Sequence, residues 1–283
     1  MSDLLIRPYQ RPHQDALLDL MADARRVHTH LDWMRVVAWL DVTDARYTQT
    51  AWLDEQMVAI LGIAPPFNHN SWVRVCIIDN AHNPPTLLQA LWDNLQGVMQ
   101  HEHIRRVGAL LGNRWLALHL PALGFRYVED VVTMGRVGVE LPPLPPHDFT
   151  VQNAYLDSLP DMIRIDHSAF APPWQLTRDD LRHAQRQSAS CTIVRHEGQV
   201  IGYQVCTRHD NLAHLARLAV LPAFQGRGVG AVLLDHLIRG FLRRSVRAIT
   251  VNTQESNIRS QHLYLRYGFR RNGYDLPFWA RET

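Results

Sequence analysis

The chain has 283 residues, 46% of them apolar, enough to bury one large core or two ordinary ones. Its 29 basic residues, all arginine, nearly cancel 27 acidic ones, and the formal charge of +2 gives no electrostatic reason to bind nucleic acid or an anionic membrane. No apolar run approaches the roughly 18 residues of a membrane-spanning helix, no basic leader opens the chain, and the odd set Cys76, Cys191 and Cys206 reads as reduced, buried thiols, so a soluble, cytoplasmic protein is expected.

In chain order, residues 4–9 read as a strand and 13–26 as a helix with Ala16, Leu17, Leu20, Met21 and Ala24 on one face. Residues 50–53, 56–63 and 72–78 read as consecutive strands, the first two joined at Asp54-Glu55. A helix is expected over 87–100, a strand over 106–111, and a pair of strands over 126–139 after Gly124-Phe125. Residues 141–147 then carry four prolines in the five positions 142–146, which bars helix and ladder and favours a stiff, extended connector. The expected domains are therefore 1–140 and 148–283, with 141–147 as linker.

The second half begins with a strand over 149–152 and a helix over 156–170, broken by Ala171-Pro172-Pro173-Trp174. Residues 190–195 and 199–207 form a hairpin around His196-Glu197-Gly198, where glycine supplies the positive φ of the turn. A strand over 213–220 ends in Leu218-Ala219-Val220, and Gln225-Gly226-Arg227-Gly228-Val229-Gly230-Ala231 opens a helix over 228–243. Three glycines at a strand-to-helix turn let consecutive N–H groups converge on one concave space at the positive end of the helix, a place built for phosphate. Residues 249–252 read as a further strand, and Asn257 starts a helix that closes with Tyr264 and the pair Gly268-Phe269.

The halves share a register. Asn113 and Asn257 are 144 residues apart (257 − 113), as are Phe125 and Phe269 (269 − 125), each Asn opening a helix and each Phe preceded by glycine. The turn at Asp54-Glu55-Gln56 likewise matches that at His196-Glu197-Gly198. Two copies of one fold explain this. The copies differ where the glycine loop stands, because the first has Asn83-Pro84-Pro85-Thr86-Leu87-Leu88, without glycine and with two residues that lack an N–H donor. Leu120 stands where the second copy has Tyr264.

The loop lacks the Gly-Lys-Ser/Thr ending of a nucleotide P-loop and the Gly-x-Gly-x-x-Gly of a dinucleotide fold. Gln-x-x-Gly-x-Gly after an apolar strand, with the Asn-led helix carrying Tyr264 downstream, resembles the GNAT superfamily of acyl-CoA-dependent N-acyltransferases over roughly residues 148–283. The resemblance implies a mixed α/β fold (α+β in arrangement) of two tandem GNAT-like domains, each a mixed, mostly antiparallel twisted sheet flanked by helices. The first is expected to be degenerate, packing on the second as an intramolecular pseudo-dimer. It implies acetyl-CoA as acyl donor, bound by the main chain at Leu218 and Val220, by the loop residues Gln225, Gly226, Arg227, Gly228, Val229, Gly230 and Ala231, and beside Asn257. The strand ending at Val220 is expected to splay from the next, commonly at a β-bulge.

Acyl transfer from a thioester needs a deprotonated amine, a donor for the oxyanion and an acid for the departing thiolate. By the same resemblance Tyr264 is the acid and the N–H near Val220 faces the oxyanion. The base expected from one branch falls on Asn252, which takes no proton; from another it falls on His214, whose ordinary pKa of about 6.5 suits the task. The acceptor is a primary amine, either a protein N-terminus, since the apolar-Pro-Trp run Ala171-Pro172-Pro173-Trp174 resembles the branch that acetylates protein N-termini, or a small molecule, as in the tandem mycothiol synthases. The alternative is a non-catalytic acyl-CoA sensor or scaffold. The pairs His28/His30 and His101/His103 find no completing ligands in the sequence, and no metal is expected.

Overall fold

The computed structural model describes residues 3–31 and 33–283. It contains two compact units, Met1–Glu129 together with Leu276–Thr283, and Asp130–Asp275. The break thus falls at 129/130, and the proline-rich residues 141–147 lie inside the second unit, where Leu141 and Leu144 pack on its core. Proline fixes local backbone stiffness, which serves a strap laid along a core as well as it serves a linker.

The first unit runs β1 (Leu5–Pro8), α1 (Gln14–Asp23), β2 (Arg26–Thr29), α2 (Val36–Val42), β3 (Thr48–Leu53), β4 (Gln56–Ile63), β5 (Asn70–Ile78), α3 (Pro84–His101) and β6 (Arg106–Leu110). Helix α1 stops three residues short of the expected end, because Ala24 turns extended and Arg26 opens β2. The β3–β4 hairpin turns on Asp54 (φ 45°) and Glu55 (φ 64°), two left-handed residues whose twist suits a two-residue loop. Pro84 and Pro85 occupy the first turn of α3, where their missing N–H groups cost no helical bond. After β6, the expected helix opened by Asn113 is replaced by 3-10 turns at Leu116–Leu118 and Leu120–Leu123; Pro121 inside the segment bars an α-helical ladder.

The second unit takes in most of β7 (Arg126–Val137), then β8 (Thr150–Asn153), α4 (Leu159–Ala169), α5 (Arg178–Gln187), β9 (Ser190–His196), β10 (Gln199–His209), β11 (Leu212–Val220), α6 (Val229–Leu242), β12 (Ala248–Gln254), α7 (Ile258–Arg266) and β13 (Arg270–Arg271). Residues 126–137 are one strand and not the expected pair; its partners are β12 and β13. The last strand, β14 (Leu276–Glu282), joins the first unit by pairing antiparallel with β6.

Strand order is β1-β3-β4-β5-β6-β14 in the first unit, and β7-β12-β11-β10-β9-β8 in the second. Each sheet is antiparallel but for one parallel pair, β5–β6 and β11–β12 respectively. In the second unit Ala213, Leu215, Ile249 and Val251 point to α6 and α7, forming a core with Leu234, Leu237, Ile238, Phe241, Tyr264, Tyr267 and Phe269. Period-2 alternation then sends His214, Thr250 and Asn252 to the opposite face, the side of α4 and α5. No described helix is long and apolar enough to cross a membrane.

Candidate active site

Two strands and two helix ends build the site. Strand β11 pairs with β12 only from Leu212↔Ala248 to Leu215↔Val251, after which the strands part. Across β11 the β10 ladder jumps from Cys206↔Leu215 to Val205↔Arg217, which makes Ala216 the extra residue of a β-bulge. The bulge bends β11 where it leaves β12. Leu221 N–H donates to Ile201 C=O (2.9 Å), so Gly202↔Val220 is a pair whose main-chain groups point away from each other. By the same alternation the N–H and C=O groups of Leu218 and Val220 face the open wedge between β11 and β12. The Val220 carbonyl accepts from Gln225 Nε2 (3.0 Å), which leaves its N–H.

The wedge leads to the glycine loop. Gly226 (φ 79°) and Gly228 (φ 89°) are left-handed, and a β-carbon on either would meet nothing packed within 4 Å beyond its own chain neighbours. Their glycines therefore answer to backbone shape and open space, not to packing. Gly228 is the N-cap of α6 without a side-chain cap, and the first helical bond runs from Val232 N–H to Gly228 C=O (3.0 Å), so the first-turn N–H groups have no helical acceptor. Gly230 packs closely for another reason: its β-carbon would lie 3.2 Å from Leu263 of α7. Arg227 is exposed, with its guanidinium 5.4 Å from the Phe224 ring centre.

Helix α7 is clamped to this loop. Arg259 donates to Gln225 Oε1 (2.7 Å), and Tyr267 OH donates to the Ala231 carbonyl (3.1 Å). Gln225 thus ties β11 to α7 through its side chain, where the sequence suggested a phosphate contact. Asn257 caps α7 by accepting from Ser260 N–H (3.2 Å). Tyr264 is buried, 5.6 Å from Phe269 between ring centres, and burial alone pushes its phenol up. It therefore stays protonated at neutral pH. His214 sits one residue pair before the strands part, half-buried, with Nδ1 2.9 Å from Thr250 Oγ1. Asn252 lies two residues beyond Thr250, and its Oδ1 is buried without a hydrogen-bond partner.

Sequence reasoning missed the group that stands at the mouth of the wedge. Asp166 on α4 is fully buried, and its Oδ2 accepts from Arg217 Nε (2.7 Å) and Tyr203 OH (2.5 Å) while Oδ1 accepts from Leu176 N–H (2.9 Å). Burial first, then the neighbouring Asp166 carboxylate, hold the Tyr203 phenol well above its ordinary range against the opposing pull of Arg217. The available signal was two opposite charges at positions where the pattern calls for apolar residues, Asp166 beside Ile165 and Arg217 between Ala216 and Leu218. The capping box Thr177/Asp180 likewise marks the unforeseen helix α5.

These features fit an acyl-CoA thioester: an unpaired strand edge for the amides of a pantetheine arm, a cradle of N–H groups without β-carbons for its diphosphate, and an orphaned polar atom beside the wedge. Among the described residues no three His, Cys, Asp or Glu side chains are grouped to hold a metal ion.

Comparison with known proteins agrees. A model of the Acetyltransferase (GNAT) family matches residues 159–269. The ribosomal protein bS18-alanine N-acetyltransferase of Haemophilus influenzae is 29% identical over 127 residues, 43% of this chain and 85% of that one. The mycothiol acetyltransferase of Propionibacterium freudenreichii subsp. shermanii is 26% identical over 275 residues, 89% of this chain and 85% of that one. A solved tandem GNAT protein from the clavulanic acid biosynthesis pathway shares the fold, with a TM-score of 0.66 at 16% identity over 99% of this chain and 98% of that one. The segment that matches the GNAT family of acetyltransferases, residues 159–269, thus lies within the second unit and holds β11, the glycine loop and Tyr264.

Proposed function

We propose that the second unit transfers the acetyl group of acetyl-CoA to a primary amine by direct attack, while the first is a degenerate copy that binds no donor. One observation carries the reading: the open edge of β11 past Leu215 runs straight into a glycine-built helix N-terminus. Leu218 and Val220 offer main-chain groups to the pantetheine amides. The N–H groups from Gly226 to Ala231 take the diphosphate. With the donor so placed, the thioester lies near the bulge, between Tyr264 on one face and His214 on the other.

An alkyl ammonium with a pKa near 10.4 is almost wholly protonated at neutral pH, so its proton has to leave before attack. His214, through water, is the proposed acceptor of that proton. The amine nitrogen then bonds to the thioester carbon, the Val220 N–H donates to the oxyanion, the nitrogen gives up its surplus proton to water, and collapse breaks the C–S bond to give amide and thiolate. A phenol raised above its usual 10 surrenders a proton to a thiolate of ordinary pKa, about 8.5, only uphill. Tyr264 therefore contributes as a hydrogen-bond donor to the sulfur as charge builds there, and solvent completes the protonation.

The acceptor is an amine of the kind carried by a protein N-terminus or a small metabolite; the two curated relatives stand on opposite sides of that choice. The proposed place of action is the cytoplasm, in keeping with three free cysteines. Release of CoA thiol from acetyl-CoA, followed across peptides with free N-termini, alanine among them, and small primary amines, tests the assignment. Turnover with any of these supports it; tight donor binding without turnover on all of them would replace it with an acyl-CoA sensor, the reading that Asn252 in place of a carboxylate favours.

A further inference from the structure

The cluster around Asp166 does more than fill a core. Arg217 is the first residue past the bulge and lies in the part of β11 that has left β12. Besides its bond to Asp166 it donates from Nη2 to the Trp174 carbonyl (2.7 Å), and its guanidinium carbon lies 3.5 Å from the centre of the Phe170 ring. Leu176 N–H reaches the same carboxylate (2.9 Å). Three points of the connection between α4 and α5, at 170, 174 and 176, are thus gathered by one ion pair whose arginine stands at the opening of the donor wedge. Gln175 adds two bonds back to the end of α4, to His167 C=O (3.0 Å) and Phe170 C=O (2.9 Å).

The side from which an acceptor enters follows from the same geometry. One face of β11 and β12 is filled by α6 and α7, with Leu215, Val251 and Tyr264 in their core. A nucleophile has to approach a thioester in the wedge from the other face, where Arg217 and the 170–177 connection stand. A buried ion pair is a poor source of net stability, since apolar residues of similar volume do as well or better. What a planar guanidinium provides is direction, because its donors serve a carboxylate and a carbonyl at fixed angles while its face rests on an aromatic ring.

We infer that Arg217 and Asp166 are positioning residues for the acceptor: their clasp holds the 170–177 connection as the wall against which the amine is set, and takes no part in donor binding. The inference rests on the acyl-transfer reading above. Arg217→Lys keeps the charge and reaches Asp166, yet a lysine cannot also serve the Trp174 carbonyl and lie flat on Phe170. With a hexapeptide bearing a free N-terminal alanine and with ethanolamine as acceptor probes, the variant should raise the acceptor KM at least tenfold. The KM and calorimetric Kd for acetyl-CoA should stay within twofold. Phe170→Leu, which spares the ion pair and is the milder change, should raise the acceptor KM several-fold with the same split. In the donor-free protein, the amide hydrogens of residues 170, 171 and 174–177 should exchange at least ten times faster in Arg217→Lys, with those of 229–235 unchanged. Equal effects on both substrates, or no effect on either, overturn the positioning role; unaltered exchange over 170–177 overturns the clasp. A wild-type chain that acetylates neither probe nor any other amine overturns the acyl-transfer reading instead, and the exchange result still judges the clasp.

Discussion

In both units the single parallel pair of strands comes apart after a few residues: after Trp72↔Gly108 in the first and after Leu215↔Val251 in the second. What occupies the wedge differs. Past Leu215, no described strand pairs with the free edge of β11. In the first unit β4 holds one edge of β5, so β2, pairing from Thr29↔Val75 to Arg26↔Ile78, lies along the other, inside the wedge. The loops differ in polarity as well. Where the second unit turns N–H groups to open space, the first has Arg26 Nη1 collecting the carbonyls of Asp79 (3.1 Å), Asn80 (3.3 Å) and His82 (3.0 Å) just before α3. A buried strand edge has to find partners for its polar groups. One topology therefore makes either an open wedge or a self-filled seam, and a four-residue strand decides which.

The largest effect is expected at the loop. Gly228→Val places a branched side chain at φ 89°, where it is strained, and in the open space before the first turn of α6. Calorimetry should find one acetyl-CoA per wild-type chain and a loss of affinity on the order of 10³ or more in the variant, with the rest of the fold kept because a β-carbon there meets nothing beyond its chain neighbours. A second site in the wild type, or residual tight binding in the variant, would give the first unit a donor site and end the contrast.

Acid should act on the other wedge. His28 of β2 is buried, and desolvation lowers it to about 4 from the ordinary 6.5. The folded state thus holds the neutral ring; its stability is full above 6.5 and is lost as pH falls from 6.5 towards 4, because only the unfolded chain takes up the proton there. The difference corresponds to about 3 kcal/mol. Denaturant unfolding across that window should show the slope, and His28→Gln should remove most of it. A slope unaffected by the substitution would assign the acid sensitivity to another group. Next in size, Tyr264→Phe removes the hydrogen bond proposed to reach a developing thiolate and should lower kcat by on the order of 10² with acetyl-CoA affinity intact; an unchanged kcat removes the tyrosine from the reaction.

The loop, Asn257 and Tyr264 were legible because they are local: glycine spacing, a cap and a Gly-Phe turn each declare themselves within about 12 residues. Most strands, among them β3, β4, β5, β9, β10 and β11, were legible for the same reason, through short apolar or alternating runs. What lay beyond reach was pairing between distant segments. Residues 26–29 are too short to alternate visibly and continue the helical spacing of α1, yet β5 draws them into a ladder. Nothing in residues 276–282 says that they complete the first sheet by pairing with β6. The prolines at 142–146 describe stiffness and say nothing of which unit they join. Arg217 and Asp166, 51 residues apart, become a pair only through the fold.

The two asparagines that revealed the repeat sharpen the contrast at its smallest scale. Asn257 spends its carbonyl on Ser260 N–H (3.2 Å) and caps a helix, whereas Asn113 spends its amide on the Val27 carbonyl (2.5 Å) and so fastens the strand that fills the first wedge. Equivalent positions, one chemical group apart, cap the helix beside the open wedge in one unit and fasten the strand that closes the wedge in the other. Asn257→Ala should cost about 1 kcal/mol of stability, the usual worth of an N-cap, and weaken acetyl-CoA binding a few-fold by loosening the helix that Arg259 and Tyr267 tie to the loop. Asn113→Ala should leave donor affinity unchanged while the amides of 26–29 exchange several-fold faster. Were Asn113→Ala to weaken the donor and Asn257→Ala to leave it alone, the roles of the two wedges would have to be exchanged.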